Sequence, residues 1–262
     1  MTAGETMTVR PSHHVGGFAT VSACALVLIA LGGFAAAPAG WRLGLWYYTV
    51  AFVIMRYAAY VALIAAATAC VALFSWPRLS LGKRIAAIAA SAIAAVVIYV
   101  PWQYGRLAAT TPPIHDITTD TINPPPFWVV LPSRAEENAN SVEYGGIAVA
   151  KLQQAAYPQI LPVMTALPPR QAFGVALATA QAMPGWIDVV AEPEAWRIEA
   201  SQESFWMRFT NDVSIRISPD GAGSRIDVRS LSRQGRGDFG DNAARVTAYL
   251  DALKVRLASA AH

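Results

Sequence analysis

Acidic side chains are nearly missing from the first hundred positions, where Glu5 stands alone, and cysteine is missing from everything after Cys70. A half without cysteine makes no disulfide of its own and offers neither a catalytic thiol nor a thiolate metal cage. Histidine is almost as scarce: after Cys70 there are only His115 and the terminal His262. No glycine-rich nucleotide loop, zinc spacing or serine elbow occurs, and no cofactor is expected. Charged residues make up only 14% of the 262 residues against 55% hydrophobic ones, a balance outside ordinary soluble averages.

The net charge of +3 hides an asymmetry. Up to Pro101 six basic residues face one acid, a net of +5; from Trp102 onward 14 basic residues face 16 acidic ones, a net of −2. The basic character therefore belongs to the flanks of the apolar half, which argues against a nucleic-acid-binding domain.

Three runs predict transmembrane helices over about 17–37, 48–76 and 85–102, within a membrane domain of residues 1–104. Each approaches the about 20 apolar residues that a hydrocarbon core of roughly 30 Å requires. The first run exceeds the about 7 to 15 residues of a signal-peptide core, so it reads as a retained helix. Arg56, the one charge inside these runs, is expected to snorkel to the interface. Trp41, Trp46, Tyr47 and Tyr48, with Tyr99, Trp102 and Tyr104, suit the headgroup level. Arg78, Lys83 and Arg84 share one short loop and Arg10 precedes the first run. Positive-inside bias then predicts a bacterial inner-membrane protein with a cytoplasmic N-terminus and a periplasmic C-terminal domain. Without an acid or histidine in any run, proton or cation transport is not expected; the alanine-rich helices suit an anchor or a scaffold for other membrane proteins.

Residues 105–126 hold five prolines and five threonines and read as a linker. His115, Asp116 and Asp120 within it could ligate a metal, or cap a turn instead; neighbours in an extended chain point apart, so no metal site is assigned. The remaining residues, 127–262, form the extramembrane domain. Pro168-Pro169-Arg170 opens a helix to about Met183. Period-two alternation then predicts strands at Trp186–Ala191, Ala195–Gln202, Phe205–Ile217 and Arg225–Leu231, with a bulge at Asn211-Asp212 and a hairpin at SPDGAGS, 218–224. Phe239, Val246, Leu250, Leu253 and Leu257 repeat at helical spacing to about Ala258, with Asp238 as N-cap. The expected fold is a two-layer α+β domain: a four-stranded antiparallel sheet with one apolar and one charged face, and two helices on the apolar one.

The segment RSLSRQGRGDFGDNAAR, 229–245, concentrates four arginines and three glycines between the last strand and the last helix. Arg216, Arg229, Arg233 and Arg236, with Ser230, Asp238, Asn242, Asp212, His115 and Asp116, are the candidate ligand-binding residues. Guanidinium groups beside a helix N-terminus can hold a phosphate or carboxylate; an internal network of arginine–aspartate ion pairs is the competing reading. A hydrolase using His115 with Ser230 or Ser232 is a further alternative, requiring the histidine to reach a hydroxyl.

The blocks IHDITTDTINPP at 114–125, YP at 157–158, IEA at 198–200, FTNDVSIRI at 209–217 and DVRSLSRQGRGDFGDNAARV at 227–246 resemble the domain of unknown function 1499 family over about 113–253. Members of that family resemble bacterial envelope and plastid proteins, and the resemblance implies a domain without a defined reaction. Asn211 stands where the resemblance implies an acidic residue. The expected function is an inner-membrane-anchored envelope protein whose periplasmic domain binds a small anion or an envelope protein, with the lipid bilayer as its other partner.

Overall fold

The computed structural model describes residues 13–260, and the chain divides into two compact units between Arg106 and Leu107. Arg10 and His262, which entered the charge and histidine arguments, lie outside the described residues. The first unit holds α1 (His13–Arg42), α2 (Tyr48–Phe74) and, as far as Arg106, α3 (Leu81–Thr110), all long and apolar enough to cross a membrane. α2 buries Ala51, Met55, Ala58, Ala62, Ala65, Ala69 and Ala72, at alternating spacings of four and three residues. Ala19, Ala23, Val27, Ala30, Phe34 and Ala37 form the buried stripe of α1, which packs on α2. Such spacing keeps one stripe facing a neighbour, and alanine lets the backbones close up. Larger side chains, Phe18, Leu28, Ile64 and Phe74, point outward. The α1–α2 turn is tied by Trp46, whose Nε1 donates to the Ala37 carbonyl at 3.1 Å. A Cβ on Gly40 would lie 2.0 Å from that indole, so only glycine fits there.

The second unit is built on an antiparallel sheet: β1 (Asp116–Thr118), β2 (Val163–Thr165), β3 (Trp186–Glu192), β4 (Arg197–Glu203), β5 (Thr210–Asp220) and β6 (Gly223–Ser232). The order is β1-β6-β5-β4-β3, with β2 also on β6. Its helices are α4 (Leu131–Glu136), α5 (Gly146–Ala156), α6 (Pro169–Ala182) and α7 (Asp241–Ala260). The sheet thus has six strands where alternation predicts four. The two additions are three residues long and lie in proline-spaced segments, too short to show a period.

β1 arises inside the stretch that reads as a linker, pairing Asp116 with Leu231, Ile117 with Ser230 and Thr118 with Arg229. β2 meets β6 further along, at Ile226, Arg225 and Ser224. Between them Thr119 completes the edge: its amide donates to the Val228 carbonyl at 2.9 Å and its Oγ1 accepts from the Val228 amide at 2.9 Å. The outer side of β1 is closed by Gln153 of α5, whose amide group bonds both the N–H and the C=O of Thr118. The outward backbone groups of Thr118 are thereby paired, which blunts this edge of the sheet.

Two local expectations are corrected. β5 begins at Thr210, not Phe205, because residues 204–209 close a compact loop. In it the Arg208 amide donates to the Ser204 carbonyl at 3.0 Å and the Phe209 amide to Ser204 Oγ at 2.9 Å. Asn211 and Asp212 pair in unbroken register with Ser232 and Leu231. The irregularity lies instead in the edge strand β3, between Ile187 and Val190, where Asp188 has a φ of 52°.

The apolar face is covered by α6 and α7. Phe173, Ala176 and Ala180 join Val246, Tyr249, Leu250 and Leu253 against Ile198, Val213, Ile215, Ile226 and Val228. Each large side chain buried there is worth about 1.5–3 kcal/mol relative to exposure. Tyr249 stacks on Trp186 at 5.3 Å and donates its hydroxyl to the Ala176 carbonyl at 3.0 Å, binding α7 to both the sheet and α6.

Candidate functional site: the charged face of the sheet

Strand alternation sends Glu199 and Ser201 of β4, Asp212, Ser214 and Arg216 of β5, and Arg225, Asp227 and Arg229 of β6 to the face opposite the helices. This face is not open to water. Residues 119–145 lie over it and are bonded to it at nearly every turn.

Arg229, 3% exposed, grips Asp116 with two parallel bonds, Nε to Oδ1 at 2.9 Å and Nη2 to Oδ2 at 2.7 Å. Its remaining donors reach the carbonyls of Pro125 and Val142, and its guanidinium lies 5.1 Å from the Phe127 ring and 5.8 Å from the Tyr144 ring. Beside it, Asp212 is fully buried and takes Arg233 through Nε at 2.9 Å and Nη2 at 2.8 Å, Arg134 through Nη1, and the Ser201 hydroxyl at 2.7 Å. Arg233 also donates to Glu137 at 2.6 Å. A third cluster joins Arg216 and Arg225 to both Asp227 and Asp120 at 3.0–3.1 Å. Arg229 with Asp116, Arg233 with Asp212 and Arg225 with Asp227 use bidentate geometry, the strongest form such bonds take, whereas Arg134 and Arg216 reach their carboxylates through one nitrogen each.

Glu199 is different. It is 1% exposed and accepts the backbone N–H groups of Trp128, Val129 and Val130 at 2.6, 2.9 and 3.1 Å. Burial pushes its carboxyl up to about 7, against the downward pull of those three amides, and the Asp212 charge adds to the rise. Burial likewise pushes the Tyr144 phenol to about 12, with the Asp116 charge contributing.

On the helix side, Asp238 caps α7 by accepting from the amides of Gly240 at 2.9 Å and Asn242 at 2.8 Å. Asn242 is fully buried: its Oδ1 accepts from the Ser230 hydroxyl at 2.7 Å and from Arg245, and its Nδ2 donates to the His115 carbonyl and to Ser232 Oγ, both at 2.9 Å. The Ser232 hydroxyl donates to Asn211 at 2.7 Å. Asn211, where the resemblance implies an acid, therefore serves as an amide acceptor in this network.

Of the residues singled out from sequence, Arg229, Asp116, Arg233, Asp212 and Arg216 share the charged face, but each arginine closes on its own aspartate and they do not converge on one point. Ser230, Asn242 and Asp238 belong to the separate α7 cluster. The His115 ring bonds the Arg236 carbonyl through Nδ1 at 3.2 Å, while the hydroxyls of Ser230 and Ser232 engage asparagines. No hydrogen bond joins the His115 ring to either hydroxyl among these contacts. His115, Asp116 and Asp120 have three different partners, and among the described residues no group of three or more His, Cys, Asp or Glu side chains is placed to hold a metal. Arg236 is exposed. Sequence reasoning missed Arg134, Glu199, Gln153 and Arg245. Strand parity offered one signal, since Glu199 alternates with Ile198 and Ala200 as Asp212 does with Val213.

An antiparallel sheet with helices on one face and an ion-paired wrap on the other, following three long apolar helices, defines the class: a two-layer α+β domain joined to an apolar helical unit. The chain belongs to the DUF1499 family. The profile of that family, described as a protein of unknown function, matches residues 116–253, more than half of the chain, from the first residue of β1 into α7. No curated protein matches it.

Proposed function

We propose that this is a bacterial inner-membrane protein whose C-terminal domain stands in the periplasm and acts by binding an envelope protein, not by holding a small anion at the arginines of 216–233. The observation that carries this reading is the internal matching of charge. Arg229 with Asp116, Arg134 and Arg233 with Asp212 and Glu137, and Arg216 with Arg225 against Asp120 and Asp227 leave those guanidinium groups neutralised within the domain. A soluble anion would have to displace carboxylates that already hold these arginines, among them the buried Asp116, Asp212 and Asp227. The outward placement rests on Arg78 between α2 and α3 and on Lys83 and Arg84 in the first turn of α3.

Two measurements test it. In a chain with Cys24 and Cys70 replaced by serine, a cysteine at position 236 should react with a membrane-impermeant maleimide in intact spheroplasts; reaction only after lysis overturns the periplasmic placement. Thermal melting of the full chain in detergent should be unmoved by inorganic phosphate or citrate. A stabilisation that is lost in Arg233→Ala would restore the small-anion reading.

A further inference from the structure

α2 packs on α1 through one stripe and turns the opposite one outward. A Cβ on Gly33 of α1 would meet the Ala58 side chain at 3.5 Å and that of Ile54 at 3.9 Å, and Met55, Ala58 and Ala62 are buried on the same stripe. Arg56 lies two residues from both Ile54 and Ala58, about 200° around a helix of 3.6 residues per turn, and is exposed. Phe52, Val53, Tyr57, Tyr60 and Leu63 share its outward side and are exposed with it.

Arg56 is the cation set deepest in these helices. Arg42 ends α1, and Lys83, Arg84 and Arg106 stand within four residues of an end of α3, whereas Arg56 is eight residues inside α2. No aspartate or glutamate occurs between Glu5 and Asp116, so neither these helices nor those of a second copy hold a carboxylate for it. The Tyr57 ring, 5.7 Å from the guanidinium and edge-on to Tyr60 at 6.0 Å, steadies the cation without cancelling its charge. Depth selects the anion. Eight residues of helix span about 12 Å, below an end where Trp41, Tyr47 and Tyr48 contact one another, as suits the headgroup level. A helical side chain tilts toward the N-terminus of its helix, here toward that end, and the stem of an arginine runs up along apolar surface. The guanidinium is thereby brought to the boundary of headgroups and acyl chains, about 5–10 Å deep, where the nearest anion is a lipid phosphate. A headgroup with its own ammonium neutralises that phosphate; one without leaves it free for Arg56.

We propose that the outward face of α2 around Arg56 binds an anionic phospholipid, its phosphate on the guanidinium and its acyl chains along Phe52, Val53 and Tyr60. This rests on the reading that α1–α3 span the membrane and is independent of where the sheet domain stands.

The test uses the full chain with Cys24→Ser and Cys70→Ser, reconstituted in phosphatidylcholine nanodiscs. A fluorophore is placed singly by Val53→Cys, Leu31→Cys or Leu63→Cys, all at exposed positions. Phosphatidylglycerol carrying a spin label near its headgroup should quench the probe at 53 half-maximally at a roughly fivefold lower mole fraction than phosphatidylcholine with the same label, the weight of one arginine near an anionic surface. The probe at 31, outward on α1, should not distinguish the two lipids. Arg56→Gln should bring the two curves at 53 together, and Arg56→Lys should keep most of their separation, because lysine also pairs with phosphate as a point charge. A separation that survives Arg56→Gln, or an equal one at 31, overturns the site. Coinciding curves at 53 with Arg56 in place overturn it too and leave Arg56 to a carboxylate on another protein's helix. Quenching at 63 by a label deep in the acyl chain reports the spanning helices. An unquenched probe at 63 overturns the spanning reading and the lipid site with it.

Discussion

The two faces of the central sheet are equally dry and filled by opposite chemistry. Under α6 and α7 lie Ile198, Val213, Ile215 and Val228; under residues 119–145 lie Glu199, Asp212, Asp227 and Arg229, each at or below 3% exposure. Aliphatic packing is non-directional and tolerates a change of partner, whereas a buried ion pair is directional and tolerates none. The wrap has little regular structure and few apolar contacts, with Phe127, Val130 and Val142 around Leu231 as its small core. Its position is set by bonds from individual side chains. The lesson is that the charges on this face organise a long irregular segment, a task that greasy contacts perform poorly.

The largest effect should come from breaking a charged cluster on one side only. Asp212→Ala strands Arg134 and Arg233, whose side chains are 4% and 7% exposed, and should cost about 3–5 kcal/mol. Thermal melting in detergent should show a fall of roughly 10 °C or more for a unit of this size. Replacing all three together, Arg134→Met, Asp212→Leu and Arg233→Met, should restore much of the loss, because well-packed apolar groups carry no desolvation penalty. A triple variant as unstable as Asp212→Ala would show that the ion pairs themselves contribute stability, and the contrast between the faces would dissolve.

The apolar face supplies the next effect. Leu253 is fully buried between α7 and the sheet, and Leu253→Ala should cost about 2–5 kcal/mol by leaving a cavity. Leu253→Met should cost less than about 1.5 kcal/mol, because volume is kept. No equally mild replacement is expected for Arg229: Arg229→Lys loses one of the two bonds to Asp116 and the planar contact with Phe127. If Arg229→Lys melts with the wild type, the directional account of the charged face fails.

The apolar face was readable in the sequence, and the charged face only by half. Alternation placed Val213, Ile215, Ile226 and Val228 inward and Arg225, Asp227 and Arg229 on the other side, while Asp212 was hidden in an expected bulge, and helical spacing put Leu250 and Leu253 on the sheet. The same alternation said nothing about what would cover the second face. Residues 119–145 have no period to follow, since their fixed shape comes from single bonds such as those of Glu199 to three consecutive amides. Asp116 reads as part of a linker because proline and threonine surround it; its pairing with Arg229 spans more than a hundred residues and leaves no local trace. The turn arginines were legible as a cluster, but their separate partners were not, because composition reports density and not direction.

A smaller and more graded effect is expected from pH. The Glu199 carboxyl, ordinarily near 4.5, is held at about 7 in the folded domain, chiefly by burial. The folded state therefore binds this proton more tightly than the unfolded chain does. Its contribution is fully present below about 4.5 and is lost as pH rises through about 7. Melting temperature should show a falling component across that window which Glu199→Gln removes, while Asp212 variants keep it. A slope unchanged in Glu199→Gln would assign the dependence to another group and remove this contact from the comparison.

The smallest effect should come from an ion pair belonging to neither face. Lys254 and Asp251, one turn apart on the outer side of α7, approach to 3.8 Å with 59% and 67% of their side-chain surface exposed. Water and salt screen such a pair, so Lys254→Ala should change stability by less than about 0.5 kcal/mol, within the scatter of a melting curve, and the small change should shrink further at high salt. Placed beside Asp212→Ala, this variant separates charge from burial: both remove one member of an ion pair on the same domain, but only one leaves its partner out of reach of water. Equal losses from the two would mean that the strength of the charged face owes nothing to the wrap above it.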